Sequence, residues 1–205
     1  AFNKEIEYFE YLNAGIYLLL RHKHLVKWDD YLNYIKQNFK KEEKISPFRF
    51  SISKMKEVLL SGKNFIFISG APDFIFEIYL SLLKKYIVKH IGLEYENKIF
   101  GFGSHLLLDT DEYSPLWGRE HKKGFIDILV EKGVLKNIEG GMGDTASDFG
   151  ISYSLGKGDD FYFVNPEKKV IDKFDEFKKD NVNYHLIIER KDLIIKIQKE
   201  DIKFI

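Results

Sequence analysis

Two loops and one short basic segment carry the residue types most suited to chemistry. The first loop is Ser69-Gly70, which follows the apolar run Asn64 to Ile68 and precedes a helical stretch. A hydroxyl, a residue without Cβ and the free N–H groups of a helix N-terminus together suit a phosphate oxygen. The same residues also read as a plain turn, with Pro72 starting the helix. The second loop is Gly140-Gly141-Met142-Gly143-Asp144-Thr145-Ala146-Ser147-Asp148, again at a strand end. Two carboxylates four residues apart at a helix entry can face one cavity, and hard oxygen ligands with retained waters are what Mg²⁺ prefers. The alternative is that Asp144 caps the helix and Asp148 sits on its first turn, favoured by the dipole. A dinucleotide reading is poorer, because Gly141-x-Gly143 lacks a third glycine. Between the loops, Glu120-His121-Lys122-Lys123-Gly124 opens a helix. A lysine there works against the macrodipole, so an anion would give it a purpose; solvated surface lysine is the alternative.

These residues must be positioned by alternating strands and helices. Apolar periodicity predicts helices over 4–23 and from Trp28 to Phe39, then a polar linker from Lys40 to Pro47. A helix is expected from an N-cap at Ser53 to Leu60, closed by Gly62. The pattern then changes to strand Asn64–Ile68, helix Asp73–Lys89, short strands Lys98–Phe102 and His105–Leu108, and a polar turn from Asp109 to Pro115. Helix Glu120–Lys132, strand Val134–Gly141, helix Thr145–Leu155, strand Asp160–Val164 and a helix from Pro166 to Lys179 follow. Tyr184–Ile188 and Leu193–Ile197 are expected to close the chain as strands. Such alternation implies βαβ units in a parallel, Rossmann-like α/β sheet, whose sites lie at the carboxyl ends of strands. Residues 1–50 are expected to form a helical segment that the sheet pattern does not need, which the family resemblance described below makes a cap, and residues 51–205 the α/β core.

Composition narrows the function classes. The 205 residues carry 32 Lys+Arg against 32 Asp+Glu, so no net charge recruits a nucleic acid, and no basic patch is obvious. The longest apolar stretch, Phe65 to Leu83, is interrupted by Pro72, Asp73 and Glu77, which argues against a membrane span. With no cysteine, any metal must rest on carboxylates or histidines. Lys4, Glu5, Glu7 and Glu10 break up the one stretch that a signal peptide would need, and a cytoplasmic location is the default expectation.

The order strand-Ser69-Gly70, then Lys123-Gly124 opening a helix, then strand-Gly143-Asp144-(x)₃-Asp148, then Val164-Asn165-Pro166-Glu167-Lys168 resembles the haloacid dehalogenase-like superfamily, in its phosphoserine phosphatase-like branch. The resemblance covers about residues 64 to 188. It matches Ser69 to motif II, Lys123, or else Lys122, to motif III, and Asp144 and Asp148 to motif IV. It implies Mg²⁺-dependent hydrolysis of a small phosphorylated metabolite through an aspartyl-phosphate, with Mg²⁺ held by Asp144 and with Asp148 as ligand or outer support. Ser69 and the Gly70 N–H would bind phosphoryl oxygens, and Lys123 would balance their charge. The family's motif I, an apolar strand ending in Asp-x-Asp, should precede the cap; Ala1-Phe2-Asn3-Lys4 offers neither the strand nor the aspartates. Leu106-Leu107-Leu108-Asp109-Thr110-Asp111 mimics it, but between motifs II and III, where a β-hairpin is expected instead. Either the nucleophile strand lies outside these residues or it comes from another chain. Otherwise the protein is a catalytically silent binding module that retains a phosphate or Mg²⁺ pocket.

Overall fold

A computed structural model describes residues 49–107 and 112–189, together with six isolated positions between 21 and 37. The expected helical cap therefore lies almost wholly outside the described residues, as do Asp109, Asp111 and the expected strand Leu193–Ile197. The order of elements is α1 (Arg49–Leu60), β1 (Phe65–Pro72), α2 (Asp73–His90), β2 (Ile99–Leu107), β3 (Glu112–Ser114), α3 (Arg119–Glu131), β4 (Gly140–Gly143), α4 (Phe149–Ser152), β5 (Asp160–Val164), α5 (Lys168–Asp172), α6 (Phe174–Phe177) and β6 (Asn183–Ile187). Short 3-10 helices occupy Leu93–Lys98 and Ala146–Asp148. The fold is mixed α/β with parallel strands in two small sheets, ordered β1-β2-β3 and β4-β5-β6. None of the described helices is long and apolar enough to cross a membrane.

The described residues form two compact units, one of residues 64–117 and the other of residues 49–63 and 118–189. The expected boundary at residue 50 falls inside α1. In the first unit β1 runs parallel to β2, and β2 turns back antiparallel onto β3, pairing His105 with Ser114. The two strands expected from Lys98 to Leu108 are thus one, and the polar segment after it contains the return strand of the hairpin. Strand β1 outlasts its apolar run. Ile68 pairs with Phe102 and Pro72 with Ser104, so Ser69, Gly70 and Ala71 stand opposite Gly103 alone. This bulge lifts the Ser69 loop out of the ladder. It closes only over a glycine, because a Cβ on Gly103 would lie 2.7 Å from the Asp73 Cα and 2.8 Å from the Ala71 carbonyl oxygen.

In the second unit β4, β5 and β6 are all parallel. Alternation along β5 turns Phe161 and Phe163 into the main core, where they meet Phe149, Val170 and Tyr184. Tyr162 faces the other side, against Phe50 and Lys54 of α1. Helix α1 begins before the expected N-cap Ser53 because a distant carboxylate serves its first turn: Phe50 N–H donates to Glu189 Oε1 at 2.8 Å. Glu189 is held in turn by its own N–H donating to Asn165 Oδ1.

Several boundaries moved for local reasons. Val134 begins no strand, since its N–H and that of Leu135 fold back onto the Leu129 carbonyl to close α3. Gly133 makes that turn at φ 70°. Pro166 starts no helix, because Asn165 is left-handed at φ 49° and the Glu167 N–H bonds back to the Asp144 carbonyl. The helix begins two residues later and splits at Lys173 into α5 and α6. The helix expected from Thr145 to Leu155 is a 3-10 turn followed by the short α4.

Candidate functional site

The acidic loop leaves β4 at Gly143 and enters the turn Ala146–Asp148. Asp148 does not project from it. Its side chain is 7% exposed and folds back under the loop. Its Oδ2 accepts from the Asp144 N–H at 3.0 Å, the Thr145 N–H at 2.9 Å and the Thr145 hydroxyl at 3.0 Å. Its Oδ1 meets Lys122 Nζ at 2.5 Å. Gly143 makes this fold-back possible, because a Cβ there would run into the Asp148 Cβ and carboxyl group. The alternative that Asp148 sits on a first turn facing solvent does not hold, and both of its oxygens accept from protein donors.

Lys122 comes from the first turns of α3. Lys122, Ile126 and Leu129 form the buried stripe of that helix at spacings of four and three, which carries the lysine into the interior with them. Only a carboxylate partner makes this tolerable, since an unpaired buried ammonium is strongly disfavoured. Lys123, one residue on, is turned roughly 100° around the axis. It is 38% exposed and forms a surface ion pair with Asp127 one turn later. The lysine beside the acidic loop is therefore Lys122, and the order of preference between the two neighbours is reversed.

Asp144 has the opposite environment. Among the described residues no other side chain is hydrogen-bonded to its carboxylate, and the residue reaches solvent. Protein atoms still crowd it enough that desolvation, then the nearby Asp148 charge, raises its pKa above the usual aspartate value; Lys122 opposes this and Glu167 adds to it. Glu167 contributes structure that the loop's own sequence does not reveal. Its Oε1 accepts from the Ala146 N–H at 2.8 Å, and its N–H donates to the Asp144 carbonyl at 2.8 Å. The only sequence signal was its position just after Asn165-Pro166. The loop backbone is thus tied at residues 144, 145 and 146, while one carboxylate, that of Asp144, stays unpaired. Among the described residues no group of three or more His, Asp or Glu is arranged to hold a metal ion.

Ser69 and Gly70 lie in the other unit, at the bulge that ends β1. The Ser69 Oγ accepts from the Ala71 N–H at 3.1 Å. Ser104, fully buried on β2, donates its hydroxyl proton to the Gly70 carbonyl at 2.9 Å. Sequence reading passed over Gly103-Ser104, whose signal was a glycine and a small polar residue interrupting an otherwise apolar strand. No family model, curated protein or solved structure matches this chain.

Proposed function

We propose that the protein hydrolyses small phosphomonoesters with Mg²⁺, through an aspartyl-phosphate. The observation that carries this reading is the pairing of two carboxylates four residues apart with unlike surroundings. Asp148 is held by Lys122 and the loop amides, while Asp144 reaches solvent and is hydrogen-bonded to no other side chain among the described residues. A rigidly tied loop that presents one free carboxylate suits phosphoryl transfer, which asks a protein for positioning and charge stabilisation more than for covalent chemistry. Asp144 is the residue that fits Mg²⁺, as a hard oxygen ligand leaving room for waters. Asp148 supports it from behind rather than as a second ligand. When bound, Mg²⁺ would neutralise charge on the phosphoryl oxygens.

In this reading Lys122 takes the place first offered to Lys123 as the charge-balancing cation, and Ser69 and the Gly70 N–H, in the other unit, keep the role of phosphate ligands that the family resemblance implies for them. No residue of the chain is assigned as nucleophile. The reading needs an aspartate from a strand that is not among those described. A carboxylate oxygen of that aspartate would bond to phosphorus as the ester oxygen leaves and takes a proton, and water would then release inorganic phosphate.

The test is hydrolysis of an aryl phosphate with Mg²⁺. Turnover abolished by Asp144→Asn and Lys122→Met but retained by Lys123→Met supports the proposal. Turnover that survives Asp144→Asn refutes it. The engagement of Asp148 by Lys122 and the loop amides, which leaves Asp144 as the loop's one solvent-reaching carboxylate, favours a second reading, a catalytically silent module on the same fold. Saturable binding of phosphate or Mg²⁺ without turnover over a broad panel of phosphomonoesters would establish that one.

A further inference from the structure

Ser104 makes a pair of contacts whose directions are fixed by chemistry. It is completely buried, and its Oγ lies 2.9 Å from the Leu116 nitrogen and 2.9 Å from the Gly70 carbonyl oxygen. A backbone N–H can only donate and a carbonyl can only accept, so the single hydroxyl proton of Ser104 must point at Gly70. The Gly70 carbonyl and the Ala71 N–H belong to one trans peptide plane and point in opposite directions. Anchoring the carbonyl toward β2 therefore sends the Ala71 N–H the other way, and there it meets the Ser69 Oγ at 3.1 Å. That bond occupies a lone pair of the Ser69 oxygen. The Ser69 proton is left over, and among the described residues no acceptor takes it.

We infer that Ser104 is a positioning residue: by fixing the Gly70–Ala71 peptide it holds the Ser69 hydroxyl as an outward hydrogen-bond donor for an oxyanion of the phosphate class. The inference rests on the proposed function, which makes Ser69 a ligand of phosphoryl oxygens. The three-residue bulge opposite Gly103 supplies the freedom that Ser104 removes. Without the anchor, the Gly70–Ala71 peptide can rotate and the Ser69 hydroxyl loses its fixed role as donor. Ser104 itself touches no ligand, since it has no exposed surface.

The experiment is titration of the full chain with inorganic phosphate in the presence of Mg²⁺, followed by calorimetry or phosphorus NMR. Loss of a hydrogen bond to a charged oxygen predicts that Ser69→Ala weakens binding about tenfold. Ser104→Ala is expected to weaken it by a similar factor although Ser69 is intact. Ser104→Cys, which keeps the packing with a weaker hydrogen-bonding group, guards against a variant that fails to fold and should also bind less tightly. Because Ser104 acts through Ser69, Ser69→Ala/Ser104→Ala should bind no more weakly than Ser69→Ala alone. Wild-type affinity in both Ser104 variants, or losses that multiply in the double variant, would overturn the inference while leaving the proposed function standing. Failure of the wild-type chain itself to bind phosphate would overturn both.

Discussion

Removing either partner of the Lys122–Asp148 pair should unfold the protein far more readily than removing any surface ion pair. The two side chains are 6% and 7% exposed, against 38% and 52% for Lys123 and Asp127. Asp148→Ala leaves a buried ammonium without a counter-charge and strips acceptors from the Asp144 N–H, the Thr145 N–H and the Thr145 hydroxyl. Breaking a buried pair in this way costs about 3–5 kcal/mol. Lys122→Met costs less, about 1–3 kcal/mol, because the Asp148 carboxylate keeps its Oδ2 donors and loses only the partner of Oδ1. In the double variant the orphaned ammonium is gone, so the two losses should fall short of additivity by about 2 kcal/mol. Urea unfolding at neutral pH checks each figure. For a slope of about 2 kcal/mol/M, Asp148→Ala should lower the midpoint by about 1.5–2.5 M. Lys123→Met is the control and should stay within about 0.5 kcal/mol of wild type. Equal small losses in Lys122→Met and Lys123→Met, or strict additivity of Lys122→Met with Asp148→Ala, would refute the argument that this pair is buried and coupled.

Other perturbations test separate parts of the loop. Asp144 has a folded-state pKa above its unfolded value of about 3.8, so its ionised form is penalised by folding, with the cost absent below that value and full once pH exceeds the folded pKa. Asp144→Asn should therefore raise Tm slightly at pH 7, by about 1–2 °C given the residue's exposure, with the gain vanishing near pH 3. Thermal melts across that range decide it, and a destabilised variant at pH 7 would contradict the environment described. Gly143→Ala forces a methyl group into the Asp148 carboxyl and should cost about 1–3 kcal/mol in chemical denaturation. Glu189→Ala removes the acceptor for the Phe50 N–H at the start of α1 and should cost about 1 kcal/mol by the same measurement.

Much of the fold was legible where one local signal acted alone. The long amphipathic stretch from Asp73 and the segment Asp160–Val164 gave their elements closely, while the apolar run ending at Ile68 gave the start of β1 but not its end. Legibility failed where a distant group overrode local preference. Ser53 is a sound N-cap by type, but Glu189, 139 residues away from Phe50, caps the helix earlier. Pro166 suits a first helical position, but the Glu167 N–H is already committed to Asp144. The same limit applied to the site. Spacing identified Asp144 and Asp148, yet assigning opposite environments to them required knowing that Gly143 lets one fold inward. Choosing between Lys122 and Lys123 required the helical phase set by Ile126 and Leu129.

The placement of Lys122 bears on why a loop this short holds an ion pair at all. A buried pair is weak evidence for stability, since well-packed apolar residues of similar volume often do as well or better. What apolar residues cannot do is accept from the loop amides. Asp148 takes the N–H groups of Asp144 and Thr145 at once, and these donors would otherwise be left without partners beneath the loop. Lys122 compensates the charge that this bonding requires, so that the loop keeps one conformation with a carboxylate already inside it. Asp144 is then the acid that desolvation and the neighbouring Asp148 charge together disfavour in its ionised form, with Lys122 only partly offsetting them. The two carboxylates of the loop thus have unlike surroundings. The buried one fixes the loop, and the other reaches solvent from it.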